Sequence, residues 1–372
     1  MDPILSEQQS LLRDAATKLA RASGGPRRAR ELRDSGQGID RQTWEAMREA
    51  GWLASLVREE HGGLGLNALD LALALEEAGK QLVMVPLAEA AAAAWAMSQI
   101  TAGRTAPAHL HGVLAGANLV LPATSSPEWR WKTADDAPAM CLHVDPKAAV
   151  LEGSIEFVPF AGAADVFLVD AIDKHEARSL CLAPRHVLAQ TARRNVDGSS
   201  SSLLTTSGTA IPLDSILASG EVAARIAGRM RELLVLWTSA ELLGVAQGAL
   251  DMTSDYLKLR KQFGKPIGSF QALQHRMVDC FVDLELSRSL LYRVLRTWDE
   301  SACHPAMVSA CKARLSRGAL ATVRVALQLH GAIGYTDEHD IGLYYKRAVA
   351  LAAKYGNEIL HVDAFSAAML PT

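Results

Sequence analysis

Two stretches of this chain hold side chains whose types could bind an anionic ligand. The first is Arg260-Lys261-Gln262-Phe263-Gly264-Lys265-Pro266-Ile267-Gly268-Ser269-Phe270-Gln271. Arg260 sits where a helix ends, and its guanidinium can pair with a diphosphate through two parallel hydrogen bonds. Phe263 offers a flat apolar face, and Gly264 lets the chain turn sharply. Gln271 opens the next helix with a side chain that both donates and accepts. The second stretch is Gln328-Leu329-His330-Gly331-Ala332-Ile333-Gly334-Tyr335-Thr336, where Gly331 and Gly334 allow close backbone approach to a bulky ligand. Singly, such features are more often plain structure: a turn between helices, or a solvated arginine at a helix end. Jointly and in this order they favour a ligand.

Carboxylates able to move a proton are few in the apolar segments. Glu241 interrupts the apolar run Leu233–Ala249, and a buried carboxylate is costly without a partner. Two readings stay open for it: a general base whose pKa burial raises, or one half of a structural hydrogen bond or salt bridge. Glu358 has two readings as well, a base brought in by a loop shift or a solvated residue opening the last helix. Glu358-Ile359-Leu360-His361 has the Glu-x-x-His spacing of a di-iron ligand pair in a helix bundle. That chemistry needs a second copy and two further glutamates; only one copy is found, so a metal site is rejected.

The elements that position these residues follow from periodicity. Glu7–Ser23 carries Leu11, Leu12, Ala15 and Leu19 at helical spacing, and Arg41–Ala50 does the same around Trp44 and Met47 until Gly51 stops it. Asn67 can cap a further helix through Leu69, Leu73 and Leu75. Between Leu119 and Leu217 short apolar runs (Ala139–Val144, Ile155–Val158, Val166–Val169) alternate with turn signals, a strand pattern. The serine run Ser199–Ser202 reads as an exposed loop. From Glu221 helical spacing returns in Arg229–Leu259, Ser269–Glu300, Pro305–His330 and the shorter Ile341–Tyr355. The expected architecture is mainly α with a central β domain: an N-terminal helical domain over 1–118, a β-barrel or sandwich domain over 119–218, and a C-terminal four-helix bundle over 219–372.

Composition bounds the function. The 372 residues are 49% hydrophobic and 21% charged, which fits a folded globular chain of two or three domains. A net charge of −3 leaves no basic footprint for nucleic acid. Five scattered cysteines without paired spacing suit reduced thiols in the cytosol. Met1–Glu7 is acidic and resembles no signal peptide, and the most apolar stretch, Leu82–Met97, holds Pro86 and Glu89 and is too short to span a bilayer.

The two ligand stretches closely resemble the C-terminal signatures of acyl-CoA dehydrogenases, and Glu59-Glu60-His61-Gly62-Gly63-Leu64-Gly65 resembles that family's N-terminal glycine-rich turn. The helix–strand–helix order agrees, so the likeness covers essentially the whole chain. The resemblance implies a flavoprotein tetramer, homomeric or heteromeric, that takes an acyl-CoA and passes electrons to an electron-transfer flavoprotein. It also implies that Arg260, Phe263, Gln271, Gln328 and Gly331 hold the ADP half of the FAD of a neighbouring subunit.

The chain departs from the family in two places. Where the family cradles its flavin ring, this chain reads Leu121-Pro122-Ala123-Thr124-Ser125-Ser126-Pro127-Glu128 and Glu156-Phe157-Val158-Pro159-Phe160. Phe157 can replace an aromatic wall and Thr124 or Ser126 can donate, but Pro159 lacks an N–H. Dehydrogenation also needs a carboxylate for the α-proton. The two family positions for it fall on Gly356 and Leu234, neither of which takes a proton. Glu241 is the nearest substitute, two turns beyond Leu234 on the same face and roughly 10 Å along the axis. The expectation is therefore dehydrogenation of an acyl-CoA to the 2,3-enoyl-CoA, with Glu241 as the base. The alternative is an incomplete partner subunit that serves a neighbour's FAD; a weaker third is a flavin-free scaffold.

Overall fold

The computed structural model describes residues 5–100, 105–124, 140–145, 148–173, 175, 177–298 and 304–369. Ser6 starts α1 (Glu7–Ala22) with a capping box, its hydroxyl accepting the Gln9 N–H at 3.1 Å while the Gln9 side chain accepts the Ser6 N–H. After α2 (Gly25–Ser35) and α3 (Arg41–Glu49), Gly51 at φ +81° ends the run as its sequence position demands. Asn67 caps α4 (Ala68–Lys80) through the Asp70 N–H, and Gln9 donates to the Asp70 carboxylate at 2.9 Å, tying α1 to the start of α4. The alanine-rich α5 (Leu87–Ser98) is buried almost throughout, and α6 (Thr105–Leu114) follows it.

The strands are β1 (Val120–Ala123), β2 (Cys141–Val144), β3 (Ala149–Pro159), β4 (Val166–Ile172), β5 (Arg178–Pro184), β6 (Ala189–Arg194), β7 (Ser200–Ile211) and β8 (Ile216–Ser219). They form one eight-stranded sheet in the order β6-β7-β3-β2-β4-β5-β8, with β1 parallel to β4. Ser199–Ser202 is not an exposed loop. Ser199, Ser201 and Ser202 are buried where β7 starts, with Ser201 and Ser202 opposite Pro159 and Val158 of β3. Their polarity is satisfied locally: Ser199 donates its N–H and hydroxyl to Asp197, and Ser201 donates to Asn195.

The remaining helices are α7 (Gly220–Leu259), α8 (Gln271–Trp298), α9 (Pro305–His330), α10 (Ile341–Ala353) and α11 (Glu358–Met369). Thus α7 begins well ahead of Arg229, where the apolar spacing alone starts it. By composition α7 has a window long and apolar enough to cross a bilayer, yet 94% of that window is buried inside the protein.

The chain packs as two compact units. One comprises Met1–Gly36, Asn67–Met84 and Val235–Thr372; the other comprises Gln37–Leu66 and Val85–Leu234. Element type divides the chain into helical, strand and helical thirds, while compactness gathers segments distant in sequence. In the first unit α8, α10 and α11 pack on α9, and α1 packs on α4. Helices α4 and α7 meet through glycine: a Cβ on Gly244 would lie 1.9 Å from the Glu76 carbonyl oxygen, and one on Gly79 2.2 Å from that of Glu241. Beside this crossing the buried Glu76 carboxylate accepts from Tyr292 Oη at 2.7 Å and from Arg288 at 3.0 Å. In the second unit α5 packs against β1 of the sheet.

Candidate functional site

The first signature folds into a small hairpin directly after α7. Lys261–Gln262 pairs antiparallel with Lys265–Pro266, leaving Phe263-Gly264 as a two-residue loop with φ of +53° and +78°. Two positive φ values in a two-residue loop define a type I′ turn. Gly264 accepts that backbone freely, whereas Phe263 bears a left-handed penalty of about 1–2 kcal/mol. The strained phenyl is also 89% exposed and meets the Phe270 ring edge to face, with centroids 6.0 Å apart. A left-handed phenyl that stays largely exposed at a hairpin tip is placed for a ligand or neighbour to cover. Arg260 is exposed beside it and has no ion-pair partner among the described residues. Gln271 is exposed at the first position of α8, where helix N–H groups favour an anion.

The second signature lies at the end of α9. Gln328 is exposed, and its carbonyl accepts the Gly331 N–H that closes the helix. Gly331 has φ +68°, with no atom within 4 Å of where a Cβ would stand, so backbone there is open to close approach. The two signatures are joined by aromatic stacking. Tyr256, in the last turn of α7, stacks on His330 with centroids 4.4 Å apart, and His330 lies 4.6 Å from His339. Burial lowers the His330 pKa, so the ring stacks as the neutral form. The five residues expected at the ADP are thus carried by the end of α7 with its hairpin, the start of α8 and the end of α9, all within one unit.

A clamp from α2 holds the turn that follows. Arg33 grips the Asp337 carboxylate with both terminal nitrogens at 2.6 and 2.7 Å, and Arg30 donates to Asp340 at 2.8 Å and to the Asp337 carbonyl. Hydrogen bonding from Arg33 lowers the Asp337 pKa to about 2 from an ordinary 3.8. A depressed carboxylate pKa contributes stability that is complete above the unfolded value and disappears as pH falls through the folded one. The melting-temperature advantage of the wild type over Arg33→Ala should therefore hold above about pH 4 and shrink between about pH 4 and 2. An advantage that stays constant throughout that acid range would remove the clamp from the acid response.

The candidate base is engaged. Glu241 is buried, and its Oε1 accepts from Arg347 Nε at 3.1 Å and, more closely, from Arg347 Nη2. This is the salt bridge of the second reading of that residue. Leu234 is fully buried, and Gly356 lies between α10 and α11 with φ +102°. Glu358 opens α11, as its second reading has it, but is paired there rather than simply solvated, accepting from Arg317 Nε at 2.7 Å. His361 is buried and hydrogen-bonded to Tyr355 and Ser309.

The family models for the acyl-CoA dehydrogenase N-terminal domain and C-terminal domain match residues 6–106 and 236–370. Acyl-CoA dehydrogenase IpdE2 of Mycolicibacterium smegmatis is 31% identical over 355 residues, covering 95% of this chain and 96% of that protein. The chain belongs to the acyl-CoA dehydrogenase family. Among solved structures, a variant of the Tcur3481-Tcur3483 steroid ACAD is 26% identical with a TM-score of 0.87, covering 98% of both chains. The ChsE4-ChsE5 complex from Mycobacterium tuberculosis shares the fold at 24% identity and TM-score 0.88 over the whole of both chains. Relatives named acyl-CoA dehydrogenase support an oxidoreductase acting on an acyl-CoA.

For an acyl-CoA dehydrogenase, the β-domain positions expected at the flavin are altered in character. Thr124 donates its hydroxyl to Asp170 at 3.1 Å, and the same buried carboxylate takes Arg178 and Arg231 at 2.7 Å each. Ser126 lies outside the described residues. Phe157 sits at φ +55° in a bulge of β3, half exposed, with the Arg193 guanidinium 5.8 Å from its ring. Pro159 closes β3 opposite Ser201. Sequence reasoning passes over the Asp170 cluster and the fully buried Lys312. A helical wheel of α9 carries a signal for the latter, since Lys312 shares a stripe with Val308, Leu315, Ala319 and Val323.

Proposed function

We propose that this chain takes part in FAD-dependent dehydrogenation of an acyl-CoA to the 2,3-enoyl-CoA as an incomplete subunit of a mixed oligomer, where it supplies the ADP-holding half of a neighbour's FAD site. The observation that carries the reading is the fate of the carboxylates. Glu241 is held by Arg347, and neither Leu234 nor Gly356 can accept the α-proton. The ADP side fits its group: an exposed arginine, a strained phenyl at a hairpin tip, a helix N-terminus and an open Gly331 adjoin one another. FAD when bound would supply hydride acceptance from the β-carbon. This chain's part would be to pair its diphosphate with Arg260 and to cover its adenine with Phe263. Two unlike chains are also the composition named for the Tcur3481-Tcur3483 structure, which supports the mixed arrangement here.

Visible absorption of the purified chain tests the reading. Alone it should carry far less than one flavin per chain; co-expressed with an unlike, base-bearing acyl-CoA dehydrogenase chain, the complex should be stoichiometrically yellow. In that complex Arg260→Ala should release the flavin on gel filtration while the fold survives, because a buried charge pair that loses one partner costs about 2–5 kcal/mol. A chain that alone binds one flavin and is reduced by an acyl-CoA would overturn the incomplete role.

A further inference from the structure

Lys312 is fully buried on α9, and its side chain reaches the corner where α10 gives way to α11. Its Nζ donates at 2.6 Å to the Leu351 carbonyl, one of the last-turn carbonyls of α10 that the helix itself leaves unfilled. From the other side His361 on α11 approaches the same corner, its Nε2 2.9 Å from the Tyr355 carbonyl. A carbonyl only accepts, so Nε2 carries the hydrogen and Nδ1 accepts from the Ser309 hydroxyl at 3.2 Å. Burial, chiefly, brings the Lys312 pKa to about 7 and that of His361 to about 4, so the imidazole is neutral at neutral pH, as this hydrogen-bond pattern requires. Glu241 favours the Lys312 charge and Lys354 opposes it.

Between these two donors the backbone is strained. Tyr355 has φ +58° and Gly356 φ +102°, and a non-glycine residue persists in the left-handed region only where its surroundings over-determine it. We propose that Lys312 and His361 are positioning residues that lock this corner from both sides, holding Tyr355–Gly356 in a shape that is closed to a side chain at position 356. A Cβ at φ +102° is strained whatever the space around it. The corner that could have offered a carboxylate is therefore a fixed glycine turn, and a single substitution does not reopen it. That consequence rests on the incomplete-subunit reading; the locking itself does not.

Hydrogen exchange on the full chain in its native oligomer tests the lock. The reporters are the amides of Lys354, Gly356, Leu360 and His361, all hydrogen-bonded around the corner. Lys312→Met keeps the bulk and removes the donor; it should speed exchange at these amides by about tenfold or more and leave those of α7 within about twofold. His361→Phe should act at the same amides from the opposite helix. Unchanged exchange, uniform acceleration across the unit, or failure of both variants to fold would each overturn the lock. In a flavin-loaded complex whose partner chain has lost its own base, Gly356→Glu should restore no acyl-CoA-dependent flavin reduction; reduction there would overturn the closed shape. A wild-type chain that reduces flavin unaided would instead sink the incomplete role and leave the exchange result standing.

Discussion

Glu241→Leu should destabilise the chain by about 3–5 kcal/mol, because it leaves the Arg347 guanidinium buried without its carboxylate. The effect is compounded by Lys312, whose charged form Glu241 favours. The double variant Glu241→Leu/Arg347→Met should recover most of that loss, since a buried pair exchanged for apolar residues of similar volume is commonly neutral or stabilising. Denaturant midpoints of the wild type, both single variants and the double variant give the coupling directly. The same set separates the two readings of Glu241. A base whose loss left the midpoint alone but cut turnover by orders of magnitude would restore the catalytic assignment. A structural partner shows the opposite: large stability loss, restored by the second substitution.

The ion pair places Glu241 in a pattern of buried charge found in both units. Glu76 takes Arg288 and Tyr292, Asp170 takes Arg178 and Arg231, and Glu241 takes Arg347. Each of these carboxylates is met by at least one guanidinium, whose fixed fork suits the carboxylate lone pairs. Burial of such groups without partners would cost several kcal/mol apiece. A carboxylate free to take an α-proton must stand outside this pattern, and none does so at positions 234, 241 or 356.

These pairings explain what could be read from the sequence and what could not. The turn and helix ends of the two signature stretches are legible because their signals are local: Phe263-Gly264 sits between paired residues, Gln271 starts a helix and Gly331 ends one. Asn67 and Gly51 are legible for the same reason. The partners of the buried carboxylates are not local. Arg347 lies 106 residues from Glu241, and Arg288 lies 212 residues from Glu76. No periodicity links such residues, so Glu241 can be recognised as unusual but not as paired. Ser199–Ser202 is misread for a related reason. Composition marks serine as a loop former, but the register that buries the run is set by Val158 and Pro159 of β3, far upstream in the chain.

Gly244→Ala should cost about 3 kcal/mol although it improves helix propensity. In an exposed helix the exchange gains about 1 kcal/mol. At position 244 the new methyl would stand 1.9 Å from the Glu76 carbonyl oxygen and 2.8 Å from its carbonyl carbon. Both are backbone atoms of α4, so no side chain can swing away and the helices themselves must separate. Overpacking of that kind costs about 1–3 kcal/mol, occasionally more. Here the displaced residue is Glu76, whose carboxylate gathers the hydrogen bonds of Arg288 and Tyr292, so the shift also disturbs a buried network. Gly228→Ala is the control on the same helix. Its nearest neighbour to a new Cβ is the end of the Arg231 side chain at 4.0 Å, an ordinary contact, so the propensity gain should survive as a stabilisation of about 0.5–1 kcal/mol. Guanidinium unfolding of the two variants should therefore move the midpoint in opposite directions. Equal midpoints would mean that α4 and α7 are not held together at Gly244.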